Sequence, residues 1–324
     1  MRVLMNTHPT AFFVRGGGEV QLQKTREHLQ ALGAEVDLFD MWHPDVERYD
    51  VVHMFSTFGG ALPFHEHVRR RGVAQVLSPI LWLGGDTSPY PMGEIARIFD
   101  VVDAVLPNSL AEQRAFEARL PCRDVRYHVV PNGVEEADGE APGPEPFRAK
   151  FDLREFVLCV GNVEPRKNQL ALARACRELG HPLALVGSVR DVAYLEACLR
   201  DGGPGTRHLG TFEHGSELLR SAYQACSVHA LVSEFETPGL ATLEAAVLGA
   251  RVVSTVHGSA AEYLGDGAEY VETDVESISA GIERALARPE PGDALRRRIL
   301  GEFTWPQAAR AVLDAYEATL TGRA

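Results

Sequence analysis

Short apolar runs of strand character alternate with amphipathic segments of helical period along the chain, and the alternation occurs in two series. In the first series, Val3–Asn6 and Val51–Phe55 have strand character and Glu19–Leu32 has helical character. The second series begins at Phe156–Val160 and continues to Glu269–Val271. Strands that alternate with helices form parallel sheets with helices on both faces. The sequence therefore predicts an α/β protein with two Rossmann-like sheets.

An acidic segment rich in proline and glycine, Glu135–Pro146, separates the two series. It has no periodicity and is typical of a linker. At roughly 150 residues per domain, 324 residues also favour two domains. We expect one domain at residues 1–138 and another at residues 147–304. Ligands bind at the carboxyl ends of strands in such sheets, so two domains that face each other are expected to form a cleft.

Charge and cysteine content argue against several classes of protein. The chain has 32 Lys and Arg against 45 Asp and Glu, a net charge of −13, whereas nucleic-acid binding needs a basic face. Its 5 cysteines are scattered without a CxxC pair, which favours reduced, mostly buried thiols over a disulfide framework or a zinc site. No run approaches the roughly 18 apolar residues of a membrane helix, and no signal-type segment precedes the first strand. We expect a cytoplasmic protein.

Residues 233–250 follow a predicted strand and continue as a helix that is apolar on nearly all sides, in which Glu244 is the only charged residue after Thr237. Such a helix is buried, and a buried carboxylate is costly unless it is paired or hydrogen-bonded. Sugar hydroxyls would satisfy this acceptor, and the turn at Gly239 would let an anionic ligand approach backbone N–H groups. A structural ion pair, for example with Arg251, is the alternative.

Arg166 and Lys167 occupy the start of another predicted helix, directly after the first strand of the second series. The helix dipole opposes cations at that end, so a bound anion would turn a local penalty into a gain. A diphosphate is the natural candidate for that anion. The alternative is two exposed basic residues on the shoulder of a helix.

Other patterns of the first series are less specific. Arg15–Glu19 places three glycines before a helix and permits close approach of a phosphate, but its spacing differs from the dinucleotide fingerprint. The basic run His65–Arg71 favours a solvated helix face, with contact to an anionic acceptor or a lipid surface at Arg69–Arg71 as the alternative. His53 ends an apolar run, where a hydrogen-bonded core histidine is favoured over a functional one. No Asp-x-Asp triplet is present, so the usual clamp for a divalent metal is missing.

The second series resembles the donor-binding domain of retaining glycosyltransferases of family 4, which have the GT-B fold. Glu236–Ala246 matches the E-x7-E signature of that family, and Gly161–Asn168 resembles its glycine and Arg-Lys phosphate clamp. The resemblance continues through Val129–Val134 and Gly258–Tyr270. It departs from the family at Ser78–Trp82, where members often place a histidine.

The resemblance implies a role for each matching residue. Arg166 and Lys167 would hold the donor diphosphate, Glu236 would contact hydroxyls of the transferred sugar, and Glu244 would accept hydrogen bonds from the ribose. These roles predict Arg166, Lys167 and Glu236 as catalytic residues. The donor-binding residues are predicted to be Gly17, Gly161, Gly187, Gly239, Leu240 and Glu244. The terminal helix, residues 305–324, would pack back on the first domain.

The resulting hypothesis is a metal-independent, retaining glycosyltransferase without a cofactor, which moves a sugar from a nucleotide-diphosphate sugar to an acceptor hydroxyl. The acceptor would be a glycan, a lipid-linked compound or a small molecule in polysaccharide or glycoconjugate biosynthesis, with peripheral membrane contact possible. One alternative is a GT-B epimerase or phosphorylase. Another is a non-catalytic nucleotide-sugar binding protein, which the short first domain favours.

Overall fold

The computed structural model describes residues 1–13, 16–120, 124–135, 141–288 and 293–323. Two units divide the chain: Met1–Gly133 together with Phe303–Ala324, and Val134–Glu302. Arg15, Cys122 and the middle of the predicted linker, residues 136–140, lie outside the described residues.

Parallel strands form the sheet of the first unit. Within the described residues, the strands are β1 (Arg2–Asn6), β2 (Glu35–Leu38), β3 (Val51–Phe55), β4 (Ala74–Ser78) and β5 (Ala104–Val105). Their order is β2-β1-β3-β4-β5, and Val3 of β1 is paired with Val36 of β2 on one side and Val51 of β3 on the other. Helices α1 (Gly17–Ala31), α2 (Leu62–Arg70) and α3 (Met92–Val101) lie between these strands in the chain, and α4 (Leu110–Arg119) follows β5.

The second unit contains a wider parallel sheet. Within the described residues, its strands are β6 (Val157–Val160), β7 (Leu183–Val186), β8 (Thr206–His208), β9 (Val228–Leu231), β10 (Val252–Thr255) and β11 (Glu269–Val271). Their order is β11-β10-β9-β6-β7-β8. The helices of this unit are α5 (Glu145–Phe151), α6 (Gln169–Leu179), α7 (Val192–Gly202), α8 (Glu217–Ala225), α9 (Leu240–Val247), α10 (Ala260–Leu264), α11 (Val275–Ala287) and α12 (Asp293–Glu302). The chain then returns to the first unit as α13 (Trp305–Thr321).

Each sheet is covered by helices on both faces, because successive strand residues point to opposite sides. In the second unit, Val157 and Cys159 of β6 pack in one apolar cluster with residues of α6, α7 and α11. Leu158, between them, packs in a second cluster with residues of α5, α8 and α9. In the first unit, α1 and α13 share a cluster with β1, and Tyr316 of α13 is fully buried there. The fold class predicted from the sequence, an α/β protein with two Rossmann-like sheets, is confirmed.

A few elements differ from those predicted from the sequence. Glu145 and Pro146, predicted to end the linker, instead begin α5, and proline is tolerated there because N–H groups of the first turn have no acceptor within the helix. After α4, Tyr127 forms an isolated bridge with Val105 of β5. The short helix α10 and the polar helix α12 were not predicted. Among the described residues, no helix has both the length and the apolar character needed to span a bilayer.

The cysteines that the structure describes are free thiols, as expected. Cys159, Cys176 and Cys198 are buried, and Cys226 is partly buried. Burial raises the pKa of Cys159 to about 12, so this thiol is protonated and unreactive at neutral pH.

Candidate functional site

Most of the predicted site residues lie at the carboxyl edge of the second sheet. Because β9, β6 and β7 are adjacent, the loops that follow them are neighbours. Gly161 directly follows β6, and Gly187 directly follows β7. The segment that contains Glu236 connects β9 to α9. Gly17 is the exception, since it is the exposed first residue of α1 in the first unit.

Lys167 and Glu236 form a buried ion pair. The Lys167 Nζ donates to Glu236 Oε1 at 2.5 Å, and the Ser233 hydroxyl donates to the same oxygen at 2.5 Å. The side chains of Lys167 and Glu236 are only 13% and 7% exposed. A buried pair of this kind is stable only while both partners are present. Lys167 and Glu236, predicted to bind the diphosphate and the adjacent sugar of one ligand, are therefore in direct contact.

The electrostatics of this pair keep Glu236 ionised. Burial by itself raises the pKa of the Glu236 carboxyl, but the charges of Lys167 and Arg166 and the hydrogen bonds from Lys167 and Ser233 outweigh it. The pKa consequently lies below its ordinary value of 4.5. Glu236 is a hydrogen-bond acceptor at neutral pH.

Arg166 is connected to the same loop. Its Nη2 donates to Glu164 Oε1 at 3.1 Å, and its guanidinium lies over the ring of Phe235, 5.2 Å from the centroid. The backbone N–H of Glu234 donates to the Arg166 carbonyl at 2.9 Å. Arg166 and Lys167 stand in a short 3-10 turn, Pro165–Lys167, and not in the first turn of α6, which starts two residues after Lys167.

Asn168 joins the 3-10 turn to α6 in a left-handed conformation, with φ of 56°. Its side-chain amide donates to the carbonyls of Val232 and Thr273, at 3.2 and 2.8 Å. These bonds fix the cation-bearing turn to the end of β9. The asparagine stands in the motif quoted from the sequence, but its bracing role was not predicted, because both acceptors are distant in the chain.

Two of the predicted glycines are required by the backbone itself. A Cβ at Gly187 would overlap the carbonyl of Gly161, so the loops after β6 and β7 pass at backbone contact. Gly239 has φ of 83° and precedes α9, and a Cβ there would meet Leu231 at 3.1 Å. Leu240, the next residue, begins α9 and is partly buried. The packing of the backbone therefore requires glycine at both positions, whether or not a ligand is bound.

Glu244 differs from the sequence-based expectation of a buried acid whose partner is a sugar hydroxyl or Arg251. It is only partly buried, with 21% of its side chain exposed, and each carboxylate oxygen has a partner in the second unit. Nε2 of His214 lies 2.6 Å from Oε1, and the hydroxyl of Tyr223 donates to Oε2 at 3.0 Å. Arg251 instead donates to the carbonyl of Arg288 at 3.3 Å.

His214 and Tyr223 were missed by the sequence reasoning. They stand on the loop after β8 and on α8, 30 and 21 residues from Glu244. Burial raises the pKa of the Tyr223 hydroxyl far above 10, and the negative charge of Glu244 raises it further. Tyr223 is therefore a permanent hydrogen-bond donor to Glu244. No local pattern identifies either residue, since the contact depends on how α8 and α9 pack.

The first unit contains the remaining candidates. His53 is fully buried, with Nδ1 at 2.7 Å from the Tyr316 hydroxyl and Nε2 at 2.9 Å from the Ser78 hydroxyl. Burial lowers its pKa to about 3, so it is a neutral core histidine, as the sequence favoured. At the start of α1, the N–H of Gly16 donates to Glu19 at 2.6 Å. A side chain of the same helix thus satisfies the donor that precedes Gly17.

The basic run of α2 also makes contacts within the first unit. Arg69 donates to the carbonyl of Val101 at 3.0 Å, and Arg71 lies 3.3 Å from Glu47. His65 is buried against Gln75, unlike the exposed position expected for it. It faces inward because it lies on the same side of α2 as the buried residues Leu62 and Val68.

Comparison with known proteins places this site in a family. Residues 145–299 match the model of the family described as glycosyl transferases group 1. The chain is 30% identical to a GDP-mannose-dependent alpha-(1-6)-phosphatidylinositol monomannoside mannosyltransferase of Mycolicibacterium smegmatis, over 76% of this chain and 72% of that protein. It is 24% identical to an alpha-maltose-1-phosphate synthase of the same organism, over 98% and 99% of the two chains.

Solved structures share the fold of the whole chain. A sucrose-phosphate synthase of Thermosynechococcus elongatus superposes with a TM-score of 0.80 at 17% identity, over 99% of this chain and 100% of that chain. Anabaena HepE in complex with UDP and glucose superposes with a TM-score of 0.80 at 15% identity, over 98% and 100% of the two chains.

Proposed function

Because this chain belongs to the glycosyl transferases group 1 family and is a glycosyltransferase, we propose that it is a retaining, metal-independent enzyme of family 4. It would transfer a sugar from a nucleoside-diphosphate sugar to an acceptor hydroxyl. The observation that carries the proposal is the contact between Lys167 and Glu236, with Arg166 on the same loop. Cations for a diphosphate and an ionised acceptor for sugar hydroxyls stand side by side there.

In the proposed reaction, the bond between the anomeric carbon and the diphosphate oxygen breaks, and the acceptor oxygen bonds to the same face of that carbon. The acceptor proton passes to the departing diphosphate oxygen, so no separate general base is needed. Negative charge grows on the leaving group as this bond breaks. Arg166 and Lys167 would stabilise that charge, since donors already in position are worth more in the transition state than in the ground state.

Metal independence is proposed because the chain offers cations where other enzymes use a divalent ion. The diphosphate would be neutralised by the guanidinium of Arg166 and the ammonium of Lys167. Turnover that persists in EDTA at the rate measured with added magnesium supports this part of the proposal. A loss that magnesium restores contradicts it.

Glu244 is proposed to bind the ribose of the nucleotide. Its carboxylate lies on α9, one turn beyond Gly239 and Leu240, and is still 21% exposed. Tyr223 holds one of its oxygens, which fixes the carboxylate in one orientation. A ribose diol would then share the other oxygen with His214, or would displace the His214 ring and donate to that oxygen in its place.

The acceptor is proposed to be a hydroxyl compound, whether a glycan, a lipid-linked sugar or a small molecule, bound by residues of the first unit. The mannosyltransferase relative is named for a phosphatidylinositol-linked acceptor, which supports the lipid-linked class. The contacts of Arg69 and Arg71 within the first unit favour a solvated face of α2 over a membrane-binding patch.

The test combines binding with turnover. A thermal-shift panel of UDP-, GDP- and ADP-sugars identifies the donor, and a ligand at about 100 times its Kd should add roughly 2.7 kcal/mol to the stability of the fold. Nucleotide release with that donor and an acceptor panel then measures transfer. Binding without release over every acceptor would favour a non-catalytic nucleotide-sugar binding protein.

Arg166→Ala is the sharpest variant for this assay, because the side chain is 38% exposed and its removal should leave the fold intact. We expect kcat to fall about 100-fold or more, the usual cost of losing one donor to developing charge. Arg177→Ala is a matched control, since Arg177 donates to the carbonyl of Asp201 on the exposed surface of the same unit. Equal turnover of Arg166→Ala and Arg177→Ala would contradict the clamp.

A further inference from the structure

Arg190 lies beside the proposed diphosphate site although it follows a different strand. The loops after β6 and β7 run in parallel because Val163 and Val189 form a bridge. The N–H of Val163 donates to the Ser188 carbonyl at 2.8 Å, and the N–H of Arg190 donates to the Val163 carbonyl at 3.1 Å. These bonds hold the backbone of Arg190 next to Glu164.

The side chain of Arg190 shares a carboxylate with Arg166. Nη1 of Arg190 lies 3.2 Å from Glu164 Oε2, and Nη2 of Arg166 lies 3.1 Å from Glu164 Oε1. With its amide oxygen turned to Arg190, Asn162 also accepts from Nε at 3.1 Å and from Nη2 at 3.0 Å. The Glu164 side chain is 15% exposed, whereas those of Arg190 and Arg166 are 40% and 38% exposed. Both guanidiniums are thus held by contacts within the unit and are still partly exposed.

Formal charges show why this third cation matters. Lys167 with Glu236, and Arg166 with Glu164, are two ion pairs, each with no net charge. Arg190 adds a cation against the same two carboxylates, so these five side chains together carry +1. Without Arg190 their sum would be zero. Arg190 therefore adds to the attraction between these side chains and a diphosphate, at separations well below the screening length of about 8 Å.

We propose that Arg190 is a donor-binding residue of the diphosphate site, and that its guanidinium is a third cation for the diphosphate. The proposal rests on the proposed function and adds a residue from a second loop to the Arg166 and Lys167 clamp. A guanidinium suits this task because it presents five N–H donors in a planar fork. Phosphate oxygens would share these donors with Glu164 and Asn162.

Arg190→Gln removes the charge and keeps a polar side chain of moderate length. Among UDP, GDP and ADP, the diphosphate that binds the wild type most tightly is titrated by calorimetry. We expect its Kd to rise about tenfold, which is ~1.4 kcal/mol and typical of one hydrogen bond to a charged group. The affinity of the corresponding nucleoside, which has no phosphate, should not change. Arg190→Lys keeps the charge and should restore most of the diphosphate affinity.

Arg174→Gln is the matched control for the change in net charge. Arg174 lies in the same unit and pairs with Asp201 at 2.6 Å, on the exposed surface of α6 and α7. We expect this variant to bind the diphosphate as the wild type does. A loss equal to that of Arg190→Gln would show that total charge, and not position, controls binding, and would overturn the proposal.

Glu164→Gln separates the charge of Arg190 from a positioning role exerted through Glu164. If Arg190 acts by charge, loss of the Glu164 carboxylate strengthens diphosphate binding or leaves it unchanged. If Arg190 only positions Arg166 through Glu164, the Glu164→Gln and Arg190→Gln variants weaken binding alike, and the proposal is wrong. It is also wrong if Arg190→Gln binds the diphosphate as tightly as the wild type. A wild type that binds none of the three diphosphates instead contradicts the proposed function.

Discussion

Removing Lys167 while Glu236 remains is expected to destabilise the protein at neutral pH. Two unit charges about 4 Å apart attract by ~4 kcal/mol at an effective dielectric constant of about 20, and burying each ion costs several kcal/mol. The two effects nearly cancel in the intact pair. Removal of one partner leaves the other charge uncompensated, at a cost of about 3–5 kcal/mol. Because the hydrogen bond from Ser233 remains, we expect Lys167→Met to lower the free energy of unfolding by about 3 kcal/mol at pH 7.

In the same variant, a fall in pH should remove a penalty from Glu236, whereas in the wild type it removes a stabilising contribution. In the wild type, the folded pKa of Glu236 lies below 4.5, so its stabilising contribution is present above the unfolded value and is lost as the pH falls through the folded value. In Lys167→Met, burial becomes the dominant influence and raises that pKa. The penalty is then present at pH 7 and disappears as the pH falls toward 4.5.

Urea unfolding at pH 7 and pH 5, followed by circular dichroism, measures both effects. The stability difference between wild type and Lys167→Met should shrink at pH 5, since other titrating groups are common to both proteins. The double variant with Glu236→Gln should recover most of the loss, because it removes both charges. A difference that stays constant with pH and persists in the double variant would refute the reasoning.

Two further predictions concern the scaffold. Gly187→Ala should destabilise the protein by more than about 2 kcal/mol, because its Cβ would overlap the Gly161 carbonyl. In α12, a Cβ added at Gly301 would meet no heavy atom within 4 Å, so Gly301→Ala should stabilise the protein by about 0.5–1 kcal/mol. Thermal unfolding of the two variants compares them, and equal effects would contradict the close approach. His53 has a folded pKa of about 3, below 6.5, so the unfolded chain binds more protons between these values and stability falls as the pH drops through them. His53→Gln should therefore remove about 2 kcal/mol of the stability change between pH 7 and pH 5, and urea unfolding at the two pH values measures that change.

The sequence predicts those parts of this molecule that depend on residues near one another in the chain. Strand β6 and helix α6 follow from local periodicity, and the turn before α9 follows from Gly239. The contact between Lys167 and Glu236 spans 69 residues and forms because β6 and β9 are adjacent in the sheet. Sequence reasoning brought these two residues together only through the family resemblance, since periodicity does not give strand order.

Partners of the predicted residues were missed for the same reason. His214 and Tyr223 reach Glu244 from separate elements, and Arg190 reaches Glu164 across a bridge between two loops. A lone charged residue in an apolar helix indicates that a partner exists, but it does not identify that partner. Arg251, which is near in sequence, was therefore a reasonable but wrong alternative.

A net charge of −13 does not exclude the proposed binding of an anionic donor. Charges farther than about 8 Å are largely screened at physiological salt, so the local sum at the site decides the sign of the interaction. At the carboxyl edge of β6, Arg166, Lys167 and Arg190 lie against Glu164 and Glu236. Each of these two carboxylates has a cationic partner, so it holds a cation in place at the edge of the sheet. A diphosphate would then be attracted by three nearby cations, two of which have partly exposed side chains.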